Sequence, residues 1–504
     1  NVKRLFLFIC TTLLLARRSD ALTLADRTGR ASSCSMTTHQ TIVVELGSSR
    51  IKVGFAGEST PRQVLNDNDG GNADTGGWSV GVSDSMVSRA CNWKEFFQYF
   101  PSTSPSPSDT SAGGTAAPVV TSAYEWEKAL YPLFSHILIS ILFIQRPSRH
   151  RMLLLINDAF PPQHFREALH RVLLEYLGVG GVWLVNGGVF EGSYHLMEGI
   201  PPSLPSVGRP KAHLYVDIGT YEARAMVSVS GSSILLDTHH TTMSGYKSFL
   251  RQVVRNYQDM NMHEKVDEIE QSKNAASQVT TLEDANAIVQ AWVAISSSSS
   301  DLALGSATIS VILPPLRHQV QSQASAKTEI HLPIHPLLEA FHHIYLDYMN
   351  PSSLIFAMLS CAMSCPIDYR KVVLQNVIML GGGSVALRHF GFSEGHKLKR
   401  KSVSFLGLQL EMAAREACGA SGDTNAVESK EEEKKEDGSS IISSIARHRF
   451  QSLRGVVGGH VNDAGERIGG ISTRYLDPFA ADMAAWIGGS VMGTLGYTHY
   501  QKKI

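Results

Sequence analysis

Along the chain the spacing of apolar residues changes period several times, and each change marks an element. Val43 to Glu58 reads VVELGSSRIKVGFAGE: an apolar run that stops at an acid, a Gly-Ser-Ser turn, then an alternating run. That pattern predicts two strands joined by a tight hairpin. Met152 to Asn157 (MLLLIN) predicts a short buried strand. The next helix opens at Pro161-Pro162 and closes at Gly178, since proline suits a first helical turn and glycine a helix end. Its apolar positions Phe165, Leu169, Val172, Leu173, Tyr176 and Leu177 recur at three and four, a stripe that predicts packing on a sheet. Tyr124 to Ile144 is mostly apolar, but Ser135, His136 and Ser140 interrupt it and Pro132 sits inside. It predicts a buried helix rather than a membrane span. Strands alternating with such helices predict an α/β fold.

Between Asn66 and Val119 this periodicity gives way to Gly, Ser, Pro, Asp and Thr, the composition of a loop or disordered insert, with one short helix expected at Cys91 to Phe100. Ser296 to Ser300 and the charge run Glu428 to Ser440 read as two further low-complexity inserts. At the start, Lys3 and Arg4 precede the twelve-residue apolar run LFLFICTTLLLA, and Ser19-Asp20-Ala21 follows. This is a signal-peptide pattern, too short to span a bilayer. Met36 stands just before the first core strand, and residues 1–35 are read as an upstream extension of the gene model.

At 504 residues the chain is long enough for two to four lobes at about 150 residues each. With 43% hydrophobic residues, 18% charged residues and a formal charge of −1, no global field draws nucleic acid or an anionic membrane surface. The six cysteines are too sparse for a disulfide scaffold, which fits a reducing compartment. Cys361 and Cys365 lack a second ligand pair at metal spacing and read as structural.

The first hairpin has a counterpart. Val43-Val44-Glu45-Leu46-Gly47-Ser48 and Tyr215-Val216-Asp217-Ile218-Gly219-Thr220 share the order apolar, apolar, acid, apolar, Gly, hydroxyl, and a second strand-like run follows each. In such turns backbone N–H groups form an anion nest to which Ser48, Ser49 or Thr220 adds a hydroxyl. Two of them facing each other would grip a polyphosphate. Glu45 and Asp217, at the strand ends, suit the water shell of Mg²⁺, and Lys52 shares a face with Arg50 and suits a phosphate. A third turn, Gly381-Gly382-Gly383-Ser384, follows the apolar strand Asn376 to Leu380 and admits a nucleoside close to backbone. Singly, each is as well an ordinary turn or loop; the duplication and the third turn together favour a nucleotide site.

At these residues the chain resembles the actin superfamily. KVGFAGESTPR (Lys52 to Arg62), CPIDYRK (Cys365 to Lys371), NVIMLGGGS (Asn376 to Ser384) and AWIGGSVMGTL (Ala485 to Leu495) resemble four of its blocks in order, within a discontinuous match from Thr41 to Tyr500. YEWEKALYPLFSHI, PPQHFREALHRVLLEYLGV, LEDANAIVQAW (Leu282 to Trp292) and the proline of CPIDYRK are similar to the actin-related subunits at the pointed end of dynactin. The resemblance implies two related α/β lobes around a nucleotide cleft, the fold shared with sugar kinases and heat-shock-type ATPases. Residues 36–210 would form the first lobe, 211–475 the second, and 476–504 would return to the first. It implies ATP or ADP with Mg²⁺, contacted by Gly47, Ser48, Ser49, Lys52, Asp217, Gly219, Thr220, Gly381, Gly382 and Gly383, with Glu45 and Asp217 holding the metal through water.

Departures from the family bear on turnover. Glu45 and Thr220 stand where actin has Asp, Gly187 aligns with actin's water-positioning Gln, and Arg224 with its catalytic-site His. Losing a water-positioning group removes about 10² to 10⁴ in rate, so binding without turnover is expected, and no catalytic residue is assigned. The implied role is a cytoplasmic, cytoskeletal subunit that joins filament subunits and the other pointed-end subunits of dynactin. The apolar-poor insert 66–119 predicts that it does not self-polymerise and therefore caps. The competing readings are a chromatin-remodelling subunit and an active ATPase or small-molecule kinase.

Overall fold

The computed structural model describes residues 40–47, 50–66, 123–157, 161–199, 212–229, 232–263, 279–298, 308–312, 329–390, 405–418, 449–457, 460–461, 467–468, 471–475 and 480–495. Residues 1–35, the helix expected at Cys91 to Phe100 and the charge run Glu428 to Ser440 lie outside them. The described residues form a mixed α/β protein with two five-stranded mixed sheets. They divide into two compact units, one drawn from 1–205 and 483–504, the other from 206–482.

In the first unit β1 (Thr41–Leu46) pairs antiparallel with β2 (Arg50–Phe55), and β2 with β3 (Gln63–Asn66). On its other side β1 runs parallel to β4 (Arg151–Ile156), and β4 parallel to β5 (Gly181–Asn186). All six β1 residues are buried. A central strand covered on both faces has no solvent side, which is why Val43-Val44 runs on without alternation. One face carries Ile42, Val44, Met152 and Leu154 into a cluster with Trp126 and Leu130 of α1 (Ala123–Ser135) and Phe165 and Leu169 of α2 (Gln163–His170). The other meets α3 (Gly188–Gly199) and the helix Ala484–Leu495. Those two helices cross at Gly192 and Gly488, where a Cβ on Gly488 would overlap the Gly192 carbonyl.

The stripe expected on Pro161 to Gly178 is buried at Phe165, Leu169, Val172 and Leu173. Tyr176 departs from it, being 53% exposed, with its hydroxyl donating to Glu127 Oε2 at 3.0 Å. The cause is a change of pitch: Arg171–Tyr176 is π-helical, and a wider turn rotates later residues off an α-helical stripe. The helix before β4 ends the same way, α1 passing into a π-helical stretch over His136–Ile141.

The second unit repeats the sheet. β6 (Ala212–Ile218) pairs antiparallel with β7 (Ala223–Val229), and β7 with β8 (Ser232–Thr242). After the separate ladder of β9 (Thr308–Ile312) and β10 (Glu329–Pro333), β11 (Val377–Leu380) joins β6 in parallel, and β12 (Thr473–Arg474) joins β11. Both sheets therefore have the order third, second, first, fourth, fifth in their own strand sequence. Along the second, α4 (Tyr246–His263) and α5 (Leu282–Ser298) contribute Phe249, Tyr257, Ile288 and Trp292 to its core. The serine tract expected as an insert at Ser296 is helical as far as Ser298. Cys361, Cys365 and Cys418 are free and buried, and burial raises their thiols, Cys365 to about 11 and Cys418 to about 12, as for core-filling side chains. Among the described residues no helix is long and apolar enough to cross a membrane.

The two π-helical ends in the first unit differ in one residue. Leu142 N–H and Ile144 N–H donate to Ile137 and Leu138 carbonyls at 3.0 and 2.8 Å; Leu177 and Val179 repeat this with Val172 and Leu173 at 3.0 and 2.9 Å. The residue between each pair is left-handed: Gly178 (φ 65°) in one, Phe143 (φ 54°) in the other, and Phe143 is 75% exposed. A left-handed L-residue costs about 1–2 kcal/mol, and glycine returns about 0.4–1 of it through its freer unfolded chain. We predict that Phe143→Gly raises the unfolding free energy by about 0.5–1 kcal/mol in denaturant titrations; a loss would refute the strain assignment.

Candidate functional site

The site begins from hairpin register. Gly47 N–H donates to the Arg50 carbonyl at 3.0 Å, and Gly219 N–H to the Glu222 carbonyl at 2.9 Å, so two residues form each turn. Counting outward from a two-residue turn places Glu45 opposite Lys52 and Asp217 opposite Arg224, as the ladders show. Each pair closes an ion pair. Lys52 Nζ lies 2.7 Å from Glu45 Oε1, with both side chains almost wholly buried. Arg224 Nη1 lies 3.3 Å from Asp217 Oδ2, and its Nη2 donates to Glu222 Oε2 at 2.6 Å. The sequence repeat is thus a repeat of turn, register and charge.

Lys52, expected to face a phosphate, has Glu45 as its partner within the sheet. The pairing was open to sequence reasoning, because an acid two residues before the glycine faces a base seven positions later once the turn is two residues long. Ser48 and Ser49 lie outside the described residues. Glu45 Oε2 and Asn157 Oδ1, the latter's carboxamide beside Gly47, are buried acceptors with no donor among the described residues.

The second turn is tied to a helix. Tyr246 N–H donates to the Gly219 carbonyl at 3.0 Å, Lys247 N–H to Thr220 at 2.7 Å, and Gly245 N–H to Tyr221 at 3.3 Å. The carbonyls of the turn thereby satisfy the first N–H groups of α4, which lack partners within the helix. Gly245 is a glycine because a Cβ there would overlap the Tyr221 backbone. Lys247 Nζ also donates to the Tyr221 hydroxyl at 3.0 Å. A planar trans peptide sets its N–H opposite its C=O. With the Gly219, Thr220 and Tyr221 carbonyls turned to α4, the N–H groups of Thr220, Tyr221 and Glu222 face the other way, in the arrangement of an anion nest.

The third glycine turn opens the short helix Gly381–Ala386, directly after β11. Gly381 has φ 86°, and a Cβ on it would overlap Asp217 Oδ1; one on Gly383 would come 2.6 Å from Ile218 Cγ2. A Cβ on Gly382 would meet none of the described residues within 4 Å. Two of the three glycines are therefore required by packing on the end of β6, and only the middle one borders open space. Gly187 has φ 60° at the start of α3, where its carbonyl accepts from Phe190 and Glu191.

The residues expected to hold Mg²⁺ do not fit a divalent ion. Each carboxylate already gives an oxygen to a cationic side chain, an ammonium at Glu45 and a guanidinium at Asp217. Asp217 is further enclosed by Gly381 on its Oδ1 side. Among the described residues no group of three or more His, Cys, Asp or Glu side chains is placed to hold a metal.

No protein-family model matches the chain, and no curated protein matches it significantly.

Breaking a buried pair strands a charge, whereas replacing both partners with apolar groups is often neutral. We predict that Lys52→Met lowers stability by about 3–5 kcal/mol in denaturant titrations and that adding Glu45→Leu recovers most of the loss. A double variant as unstable as the single would show that the pair is not the determinant.

Proposed function

We propose that the chain is an actin-related structural subunit, its two units corresponding to the related lobes of the actin fold, and that it binds ATP or ADP with little or no hydrolysis. The observation that carries this reading is the duplicated five-stranded sheet with an acid–glycine hairpin closed alike in each copy. The nest at Thr220–Glu222 supports phosphate binding. Two features support weak turnover. Gly187 has no side chain with which to hold a water. Arg224, in the place of actin's histidine, is engaged by two carboxylates and stays protonated, so it cannot serve as a base.

Within the actin-related proteins, the blocks quoted above favour actin-related protein 10, the pointed-end subunit of dynactin. On this reading the chain is cytoplasmic and cytoskeletal, ends an actin-like filament, docks the other pointed-end subunits and supports dynein-driven transport along microtubules. A subunit that accepts a filament end without presenting a surface to a further copy is a cap.

Two measurements test the proposal. Acid extraction of gently purified chain should yield about one ATP or ADP per molecule, with phosphate release at least about 10²-fold slower than by ordinary actin. Incubated with actin-like filaments, the protein should decorate one end only. Self-polymerisation of the pure protein would overturn the capping role, and actin-like phosphate release would overturn the inert site.

A further inference from the structure

The first unit carries on its surface a row of aromatic and aliphatic side chains that the nucleotide reading does not use. We propose that this row is the docking site for one segment of the same chain, Cys91 to Phe100, which lays an aromatic face against α1.

The row follows α1 and the π-helical stretch after it. Tyr124 is 61% exposed, Tyr131 45% and Ile139 60%. Tyr124, Lys128 and Tyr131 are spaced four and three apart and so share one face of α1. The Lys128 ammonium sits 4.3 Å from the centre of the Tyr124 ring. A second helix supplies the other wall, where Tyr176 meets Tyr131 edge-on with ring centres 6.4 Å apart. Buried Glu127 holds that wall in place, accepting from Tyr176 at 3.0 Å and from Arg171 at 2.9 Å. The Tyr176 ring is thus positioned before anything binds, and rigid aromatic surface gives up little entropy on contact. At the end of the same helix stands Phe143, left-handed and exposed, where the matching position of the other π-helical end is Gly178. Strain of this kind persists where a side chain is needed.

The occupant follows from sequence and tether. Residues 67–122 join β3 to α1 within this unit and lie outside the described residues. Five of their six aromatic residues fall within Cys91 to Phe100, an aromatic concentration in an otherwise apolar-poor stretch. Trp93, Phe96, Phe97 and Phe100 recur at three, four and seven, the stripe of one helical face. A helix of about ten residues is marginal in water, and such a stripe needs a surface to pack on. The 22 residues from Pro101 to Ser122 lead straight into α1. As a flexible chain they span about 25 Å, and residues 123–141 extend about 28 Å at a helical rise, so the whole row is within reach. Tethering puts the segment near the row at about millimolar effective concentration, which a second copy of the chain at micromolar concentration does not match.

The test is photo-crosslinking in the full-length chain at low micromolar concentration. The photoreactive residue p-benzoylphenylalanine replaces Tyr131, and adducts are mapped by gel mobility and peptide mass spectrometry. The main adduct should run as a monomer and join position 131 to Cys91–Phe100. The same photoprobe at Ile367, 76% exposed in the second unit, should give at least about tenfold less of an adduct to that segment. Phe96→Ser combined with Phe97→Ser should lower the position-131 adduct at least about tenfold. An adduct that survives this double change would be a chance contact of the tether and would overturn the inference. An adduct running as a dimer would overturn it in favour of a second copy, and the absence of any adduct to Cys91–Phe100 would overturn it outright. Should the chain with the photoprobe at position 131 fail to fold by circular dichroism, the same measurements at Ile139 decide. Each of these outcomes leaves the nucleotide reading untouched.

Discussion

A glycine N–H closing a two-residue turn determines which side chains face each other on the two central strands, and much else follows from it. With Gly47 bonded to Arg50 and Gly219 to Glu222, each acid meets a base across the ladder. A slip of one residue would send every side chain to the opposite face and leave a buried charge without a partner, so register is held by electrostatics as well as by hydrophobic burial. The parallel strands then build outward from the same first strand in both units.

Glycine serves this chain chiefly as a place where backbones meet. Gly192 and Gly488 let two helices touch on one face of the first sheet, Gly245 lets α4 accept the second turn as its cap, and Gly381 lets β11 end against Asp217. Small-residue motifs that look like ligand loops are, at most of these positions, contacts inside the protein. Gly382 is the exception, bordering open space.

The second turn does two jobs through one set of peptides. Its carbonyls complete the first turn of α4 while its N–H groups are presented opposite. Helix capping thus orients the nest at no separate conformational cost, and the tie between Lys247 and Tyr221 holds the tip of the turn to the same helix. With Arg224 clamped beside it, the region is ordered by the fold rather than by a ligand.

Hairpins, buried strands and the stripe on α2 were legible in the sequence because they depend on local periodicity and on turn chemistry within about ten residues. The duplication, too, was visible as a repeated order of residue types. Tyr176 was misplaced because a π-helical turn changes the period without leaving a mark in composition. The partner of Lys52 was within reach, requiring only that register be counted from the turn. What no local pattern specified is which way the turn peptides face, why Gly381 and Gly245 must lack a side chain, and that Asp217 is enclosed on both oxygens. Those depend on contacts between segments tens to hundreds of residues apart, such as Tyr246 N–H on the Gly219 carbonyl at 3.0 Å and Gly381 against Asp217, and only the packed chain brings them together.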